Sequence, residues 1–527
     1  MKTNSIKTLF IAAILISVTA SCKKQLDVKP AFDITDDVVY SSVGGYKQAV
    51  AKVYGSFALT GNAGPAGNGD VQGIDEGTSD FFRLYWCAQE LTTDEAVVAW
   101  GDAGLPDLHN LSYTSNNDFL KGLYYRSLYQ ITLANDFIRQ SADDKVSSRG
   151  ITGADANEVK NFRNEARFLR AYQYWVLLDL FANPPFVTEN DLLGATLPKQ
   201  TNRADLFAYV ESELKDLENV LVDAKQNEYG RADKGAAWAL LARLYLNAKV
   251  YTGTDRNTDA ITYAKKVMDG GYSLISDPRV LMLADNNLNK DEFILTINYD
   301  GVRTQGYGGT TFLTHASVGG SMVAATQGVG GGWFGIRTTK NLANLFPSPS
   351  GTPDRRAQFY TAGQNIEINE IGTFTDGYAV TKFRNVKRDG TAGSSLDFAD
   401  VDIPIFRLGE VYLIYAEAVL RGGAGGDNAT AVSSFNKLRE RAYGNTSGNV
   451  ASITLDMILE ERGRELFWEG YRRTDLIRYG RFTDASYLWP FKGGVKGGRG
   501  VEPFRNIFPL PAADVTANSN LVQNTGY

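Results

Sequence analysis

The chain has 527 residues, 43% of them hydrophobic and 22% charged, enough apolar material for a large core and more than one folding unit. Its 54 basic and 60 acidic side chains give a formal charge of −6, which argues against nucleic-acid binding, because phosphate contact needs a basic surface. Two cysteines and two histidines (Cys22, Cys87, His109 and His315) are too few for a disulfide framework or a four-cysteine metal site, and neither histidine sits in a metal-ligand spacing.

Residues 1–21 have the pattern of an export signal. Lys2 and Lys7 give a basic start, Leu9–Val18 is nearly all apolar and too short to span a bilayer comfortably, and Thr19, Ala20 and Ser21 lead into Cys22. A small-residue run ending at cysteine resembles the lipobox of bacterial lipoproteins. That resemblance implies acylation of Cys22, which would become the mature N-terminus, with residues 22–35 as a tether into membrane lipid. An ordinary secretory leader with an incidental Cys22 is the alternative. No later stretch has the pattern of a transmembrane helix.

The first helical pattern runs from Ser42 to Tyr54, and residues 58–80 are rich in Gly, Asp and Ser, which predicts a long surface loop. Asp118–Arg139 is helical, with Leu120, Leu123, Tyr124, Leu128 and Ile131 on one face, and a hydrophilic break follows at 141–155. In Glu158–Phe181, Phe162, Ala166, Leu169, Tyr172, Trp175 and Leu178 recur at three or four, while Glu165, Arg167, Arg170 and Asp179 are expected on the wetter side. Asn183-Pro184-Pro185 stops this helix. Asp205–Leu221, Ala232–Ala248 and Asp259–Met268 are further helices, the second apolar on almost every face, with small Ala236, Ala239 and Ala242 permitting close approach.

Between about 300 and 400 the texture changes. Gly308-Gly309, Gly319-Gly320 and Gly330-Gly331-Gly332 break up any long helix, and the intervening Tyr307, Phe312, Trp333, Phe334 and Phe346 are too many large apolar groups for a flexible spacer. A structured insertion of irregular loops and short strands is expected. Helices resume at Leu408–Arg421, Thr430–Arg441 and Thr454–Arg478. The pairs 236–250 with 259–269, and 410–421 with 430–441, have the pattern of tetratricopeptide-type hairpins, each with an apolar face that it cannot bury alone. A generic helical bundle is the alternative. The alternating charges of the last helix (Glu465, Glu469, Arg472, Arg473, Asp475, Arg478) indicate a solvated face or structural ion pairs, buried pairs included.

Several blocks carry a family resemblance: EARFLRAYQYWVLLDLF at 165–181, GRADKGAAWALLARLYLNAKVY at 230–251, DIPIFRLGEVYLIYAEA at 402–418, RELFWEGYRRTDLIRYG at 464–480 and FPLPAADVTANSNLVQNTGY at 508–527. In this order they resemble the SusD/RagB family of outer-membrane glycan-binding lipoproteins, from Cys22 to Tyr527. The resemblance implies a mostly α fold: a helical scaffold with tetratricopeptide-like hairpins and a loop-rich insertion with short strands. It divides the chain into a signal (1–21), a tether (22–35), an N-terminal scaffold (36–299) with a glycan-contacting loop at 58–117, the insertion (300–400) and a C-terminal region (401–527). It also implies a nonenzymatic role beside a SusC-like TonB-dependent outer-membrane porin.

The likeness extends to the starch-binding type of that family through GIDEGTSDFFRLYWCAQELTTDEAVVAW at 73–100, YGGTTF at 307–312 and the turn at Gly332-Trp333. It places Arg83, Trp100, Asp102, Tyr307 and Trp333 where glucan contacts are made, with an α-glucan as ligand. The segment GDAGLPD after Trp100 departs from the pattern, and an expected asparagine is replaced near Asp102-Ala103. Aromatic faces suit the C–H patches of a sugar ring, and an arginine fork and a carboxylate suit its hydroxyls. Read from the residues alone, Trp100 after Val97-Val98-Ala99 also suits a core position, Trp333 also suits packing within the insertion, and Arg83 also suits an ion pair. A structural calcium site is implied weakly at Ala284–Asp291, where Asp285 is the candidate ligand without an EF-hand spacing. The competing enzyme reading is a glycoside hydrolase using two carboxylates drawn from Glu76, Asp80, Asp102 and Asp291. A third is a structural partner of the porin without sugar affinity of its own.

Overall fold

The computed structural model describes residues 35–65, 67, 69–191, 194 and 196–527. The export signal, Cys22 and nearly all of the tether lie outside the described residues. Counting helices of seven residues or more, the first part of the chain holds α1 (Val43–Ala58), α2 (Phe81–Glu90), α3 (Asp118–Gln140), α4 (Gly153–Leu180), α5 (Arg203–Val220), α6 (Lys234–Leu246) and α7 (Asn257–Met268). The rest holds α8 (Gly309–Ala316), α9 (Leu408–Leu420), α10 (Asn428–Tyr443), α11 (Leu455–Leu466) and α12 (Arg472–Arg478). Short polar side chains start many of them. Ser42, Asp80, Asn117, Asn202, Asp233, Asp427 and Thr454 each accept a bond from a first-turn N–H, satisfying donors that a helix start leaves unpaired.

The fold is mostly α, as the helical patterns predict. Helix α3 packs on α4, α4 on α5, α5 on α6, α6 on α7, α7 on α9 and α9 on α10, so neighbours form one continuous array. The two predicted hairpins are the α6–α7 and α9–α10 pairs. Ala236, Ala239 and Ala242 are buried in that array, where small side chains let helix axes approach. The strands are short and antiparallel: β1 (Ala96–Val98) with β5 (Ile336–Thr338), β2 (Pro185–Phe186) with β3 (Lys199–Gln200), β4 (Phe293–Ile297) with β8 (Ile403–Arg407), and β6 (Phe359–Tyr360) with β7 (Ala379–Val380).

Four expectations need correction. The hydrophilic break at 141–155 contains a short helix at Asp143–Ser148 and the first turn of α4. The loop expected at 58–117 contains helix α2, all ten of whose residues are buried, and strand β1. The glycine-rich insertion contains α8, whose Phe312 packs edge-on against Trp86 of α2 at 5.4 Å. The predicted helix 454–478 is broken at Phe467–Tyr471. There Trp468 takes a left-handed φ of 64° and buries its ring against Trp86 at 5.3 Å. Its carbonyl accepts from Trp86 Nε1 (3.1 Å), its N–H donates to Glu95 (3.1 Å), and Gly470 and Tyr471 N–H donate to Glu90. Tertiary contacts therefore replace the helical bonds.

On the side of α4 expected to be wetter, Arg167 is half-buried and the other three side chains turn inward. Glu165 is buried and bound by Arg231 (2.5 Å) and Tyr54 (2.8 Å). Arg170 is buried between Asn135, Glu189 and Glu213, and Asp179 accepts from Tyr251 (2.8 Å) and Thr474 (2.6 Å). Glu461, Arg462, Arg464 and Glu465 of α11 and Arg472, Arg473 and Asp475 of α12 likewise face inward. Arg407 reaches Glu292 (3.0 Å), Glu465 (2.5 Å) and Glu469 (2.7 Å), and Lys382 pairs with Glu469 (2.7 Å). Arg441 binds Glu292 and Glu465, Arg356 binds Asp354, Glu461 and Glu465, and Arg472 binds Asp94.

This burial predicts an asymmetric pH dependence of stability. Against the upward push of burial, Arg356, Arg464 and Arg439 hold Glu461 down to about 2, and Arg478 and Arg421 hold Glu417 down to about 2. A depressed carboxylate contributes stability that is present above its unfolded value, ~4.3, and is lost as pH falls through the folded one. Burial instead pushes Asp402 up to about 7, and Asp80 and Asp233 up to about 6. Their contribution is complete below the unfolded value of ~3.9 and is lost as pH rises toward 6–7. The melting temperature should therefore peak near pH ~4–5 and fall on both sides. A thermal series from pH 3 to 8 that rises steadily to neutrality would contradict this.

Candidate functional site

The site forms where the start of α2, the end of β1, the start of α8 and the turn before β5 meet. Asp80 caps α2 through the Arg83 N–H (2.9 Å), and the same carboxylate oxygen accepts from Gly309 N–H at the start of α8 (2.7 Å). One buried group thus joins two helix starts. Position 308 must be glycine, since a Cβ there would lie 2.1 Å from the Cβ of Asp80.

Arg83, in the first turn of α2, is only 7% exposed. Its Nη1 donates to the carbonyls of Gly77 (2.8 Å) and Tyr307 (3.0 Å), and the guanidinium lies over the rings of Phe312 (4.6 Å) and Trp100 (5.6 Å). It fastens the loop before α2 to the loop before α8. Among the described residues Nε has no hydrogen-bond partner.

Trp100 is placed by the β1–β5 pairing. Val98 stands opposite Ile336, and Ala99 N–H donates to Gly335 O (2.8 Å), which sets Trp100 beside the Trp333 turn. Its indole N–H donates to Trp333 O (3.0 Å), and the two rings are 6.4 Å apart at 44°. Trp333 is held from behind by His315 at the end of α8: the rings stack at 4.7 Å and 22°, and Trp333 N–H donates to His315 O (2.9 Å). His315 Nδ1 is 2.8 Å from Gly331 O, and burial lowers its pKa. Tyr307, 38% exposed, meets Trp333 at 6.2 Å and Phe398 at 5.6 Å.

Arg83, Trp100, Asp102 and Tyr307 line one cleft of about 780 Å³, with Trp333 against two of its aromatic walls. All five predicted site residues therefore come together, from segments more than 200 positions apart. Sequence reasoning missed Asp75, Thr78, Asp118 and Phe119, which line the same cleft, and His315 behind Trp333. Asp118 is the first residue of α3 and pairs with Lys121 (2.6 Å), a pattern that by itself signals only a helix start. Trp100 is half-buried, so it serves packing and cleft at once. Half-exposed aromatic faces, one arginine and three rim carboxylates suit a ligand that has apolar patches and hydroxyls together.

Of the four carboxylates considered for hydrolysis, only Asp102 lines the cleft. Asp80 is buried as a cap, and Asp291 pairs with Lys225 (3.1 Å). The calcium candidate Asp285 accepts from Arg388 N–H (3.2 Å) and lies 3.9 Å from the Arg388 guanidinium. Among the described residues no group of three or more Asp, Glu, His or Cys side chains is placed to hold a metal ion.

Comparison with known proteins bears on this arrangement. The family profile described as "SusD family" matches residues 352–527, and one described as "Starch-binding associating with outer membrane" matches residues 79–246. The chain is 36% identical to "Starch-binding protein SusD" of Bacteroides thetaiotaomicron, over the whole of both chains. Among solved structures, a SusD homolog from Bacteroides thetaiotaomicron superposes with a TM-score of 0.72 at 19% identity, covering 92% of this chain and 97% of the other. Surface glycan-binding protein A from Bacteroides thetaiotaomicron, in complex with laminarihexaose, gives 0.69 at 20% identity, covering 91% and 99%. At these identities the structural likenesses establish the shared fold.

Proposed function

The chain belongs to the SusD family, whose members bind carbohydrate and are not enzymes, and we propose that it captures starch or malto-oligosaccharides and passes them to a SusC-like TonB-dependent transporter. The observation that carries this reading is a cleft walled by Trp100 and Tyr307, with Trp333 packed against both rings, that also holds Arg83 and Asp102. A curved arc of rings can follow an α-1,4-glucan, burying the C–H faces of successive units. Arg83 would donate to sugar hydroxyls and Asp75, Asp102 and Asp118 would accept from them. No bond is broken. Binding concentrates the glycan beside the pore.

Titration calorimetry of the soluble chain from residue 23 with maltoheptaose, cyclic α-glucan, levan, chitin oligomers and laminarihexaose tests the ligand. Saturable binding confined to α-glucans is expected. Binding of laminarihexaose alone would replace starch by a β-glucan and keep the capture role.

Acylation at Cys22 would hold the protein on the outer membrane facing outward. Each buried methylene contributes ~0.8 kcal/mol, so more than one acyl chain gives a firm anchor. Cys22→Ala is expected to move the protein from the membrane to the soluble fraction. Undiminished membrane association of that variant would contradict the anchor.

A further inference from the structure

Phe334 directly follows Trp333 and takes a left-handed φ of 54°, a conformation that side chains with a Cβ rarely adopt. Lys225 shares this sign of φ at the surface and Phe491 half-buried, while Leu111, Ala182 and Trp468 share it and are buried, so that packing offsets their strain. The Phe334 ring is instead 51% exposed. A strained backbone that presents an aromatic ring to water serves no core, and such outliers concentrate where ligands bind.

The surroundings complete a small platform. The ring meets Phe374 edge-on at 5.7 Å and 68°, and Gly319 lies beneath both, where a Cβ would come within 2.7 Å of each ring. In the same loop as Gly319, the exposed Ser321 hydroxyl is 2.9 Å from that of Tyr360 and 3.0 Å from the Ala362 carbonyl. The turn is held to the end of α8 and the residues after it: besides the Trp333 bond, Phe334 N–H donates to Val318 O (3.0 Å) and Gly335 N–H to Ala316 O (2.8 Å). Consecutive Cα atoms are ~3.8 Å apart, which confines the Phe334 ring to within roughly 11 Å of the Trp333 ring, about two pyranose units.

We propose that Phe334, with Phe374 and the Ser321–Tyr360 hydroxyl pair, forms an outer subsite for a sugar unit beyond the Trp100–Tyr307–Trp333 cleft. Affinity then grows with chain length. The proposal rests on the glycan-binding reading of that cleft. An open aromatic face and a hydroxyl pair offer both contacts that a pyranose uses.

Two variants test it. Phe334→Gly removes the ring while taking φ 54° without strain, and Phe334→Asn tolerates the same conformation with a stiffer backbone. Calorimetry with maltotriose and maltoheptaose should give maltotriose affinities within twofold of wild type for both variants. Maltoheptaose affinity should fall about fivefold, with melting temperatures not lowered, and Phe334→Tyr should restore it. Unchanged maltoheptaose binding, or an equal loss for both sugars, would overturn the outer subsite and leave the cleft reading standing. A wild-type protein that binds neither sugar but binds laminari-oligosaccharides moves the same length series to that sugar. One that binds no glycan overturns the functional reading itself.

Discussion

Trp333→Ala should weaken α-glucan binding by roughly 30- to 150-fold, or ~2–3 kcal/mol, the effect of removing a central aromatic anchor from a binding surface. The reason lies in its neighbours. Trp333 touches Trp100 and Tyr307 on the cleft side and is backed by His315, so its loss removes the middle of the aromatic wall. Trp100→Ala should have a similar effect, because the Trp100 indole N–H also holds the Trp333 carbonyl. The double variant should lose less than the sum of the two, since each side chain supports the other. Calorimetry gives the affinities and far-ultraviolet circular dichroism confirms that helix content is unchanged. Near-wild-type binding by both single variants would rule out the aromatic arc.

The second large effect concerns stability. Arg407→Met should destabilise the fold by ~3–5 kcal/mol, because it leaves buried carboxylates without their principal cation. Arg407 is fully buried and pairs with Glu292, Glu465 and Glu469. Arg441 would remain for Glu292 and Glu465, and Lys382 for Glu469, which places the expected loss within that range rather than beyond it. Arg303→Ala serves as the control, since the Arg303–Asp300 pair is exposed and worth ~0–1 kcal/mol. Urea midpoints compare the two directly. A loss below ~1 kcal/mol for Arg407→Met would show that the network reorganises around the missing cation.

The two predictions draw on different levels of information. The paired helices α6–α7 and α9–α10 were legible because their small and apolar residues recur at helical spacing, and local periodicity encodes which face must be covered. Helix α2 was not read from the sequence, which placed its residues within one long loop at 58–117. The five proposed site residues were named from motif resemblance, whereas Asp75, Asp118 and His315 carried no local pattern that distinguished them from surface or core positions.

By itself the sequence determined the helical class, the pairing of neighbouring helices and the residues that resemble a glycan site. Each of these depends on composition or on spacings within one segment. Only the tertiary structure decided that Glu165, Arg170 and Asp179 turn inward, that the last long helix breaks at Trp468 and that Trp100 meets Trp333. Those outcomes depend on groups brought together from distant positions. Whether a charge is solvated or paired, and whether a ring is core or platform, is set by what the fold places beside it.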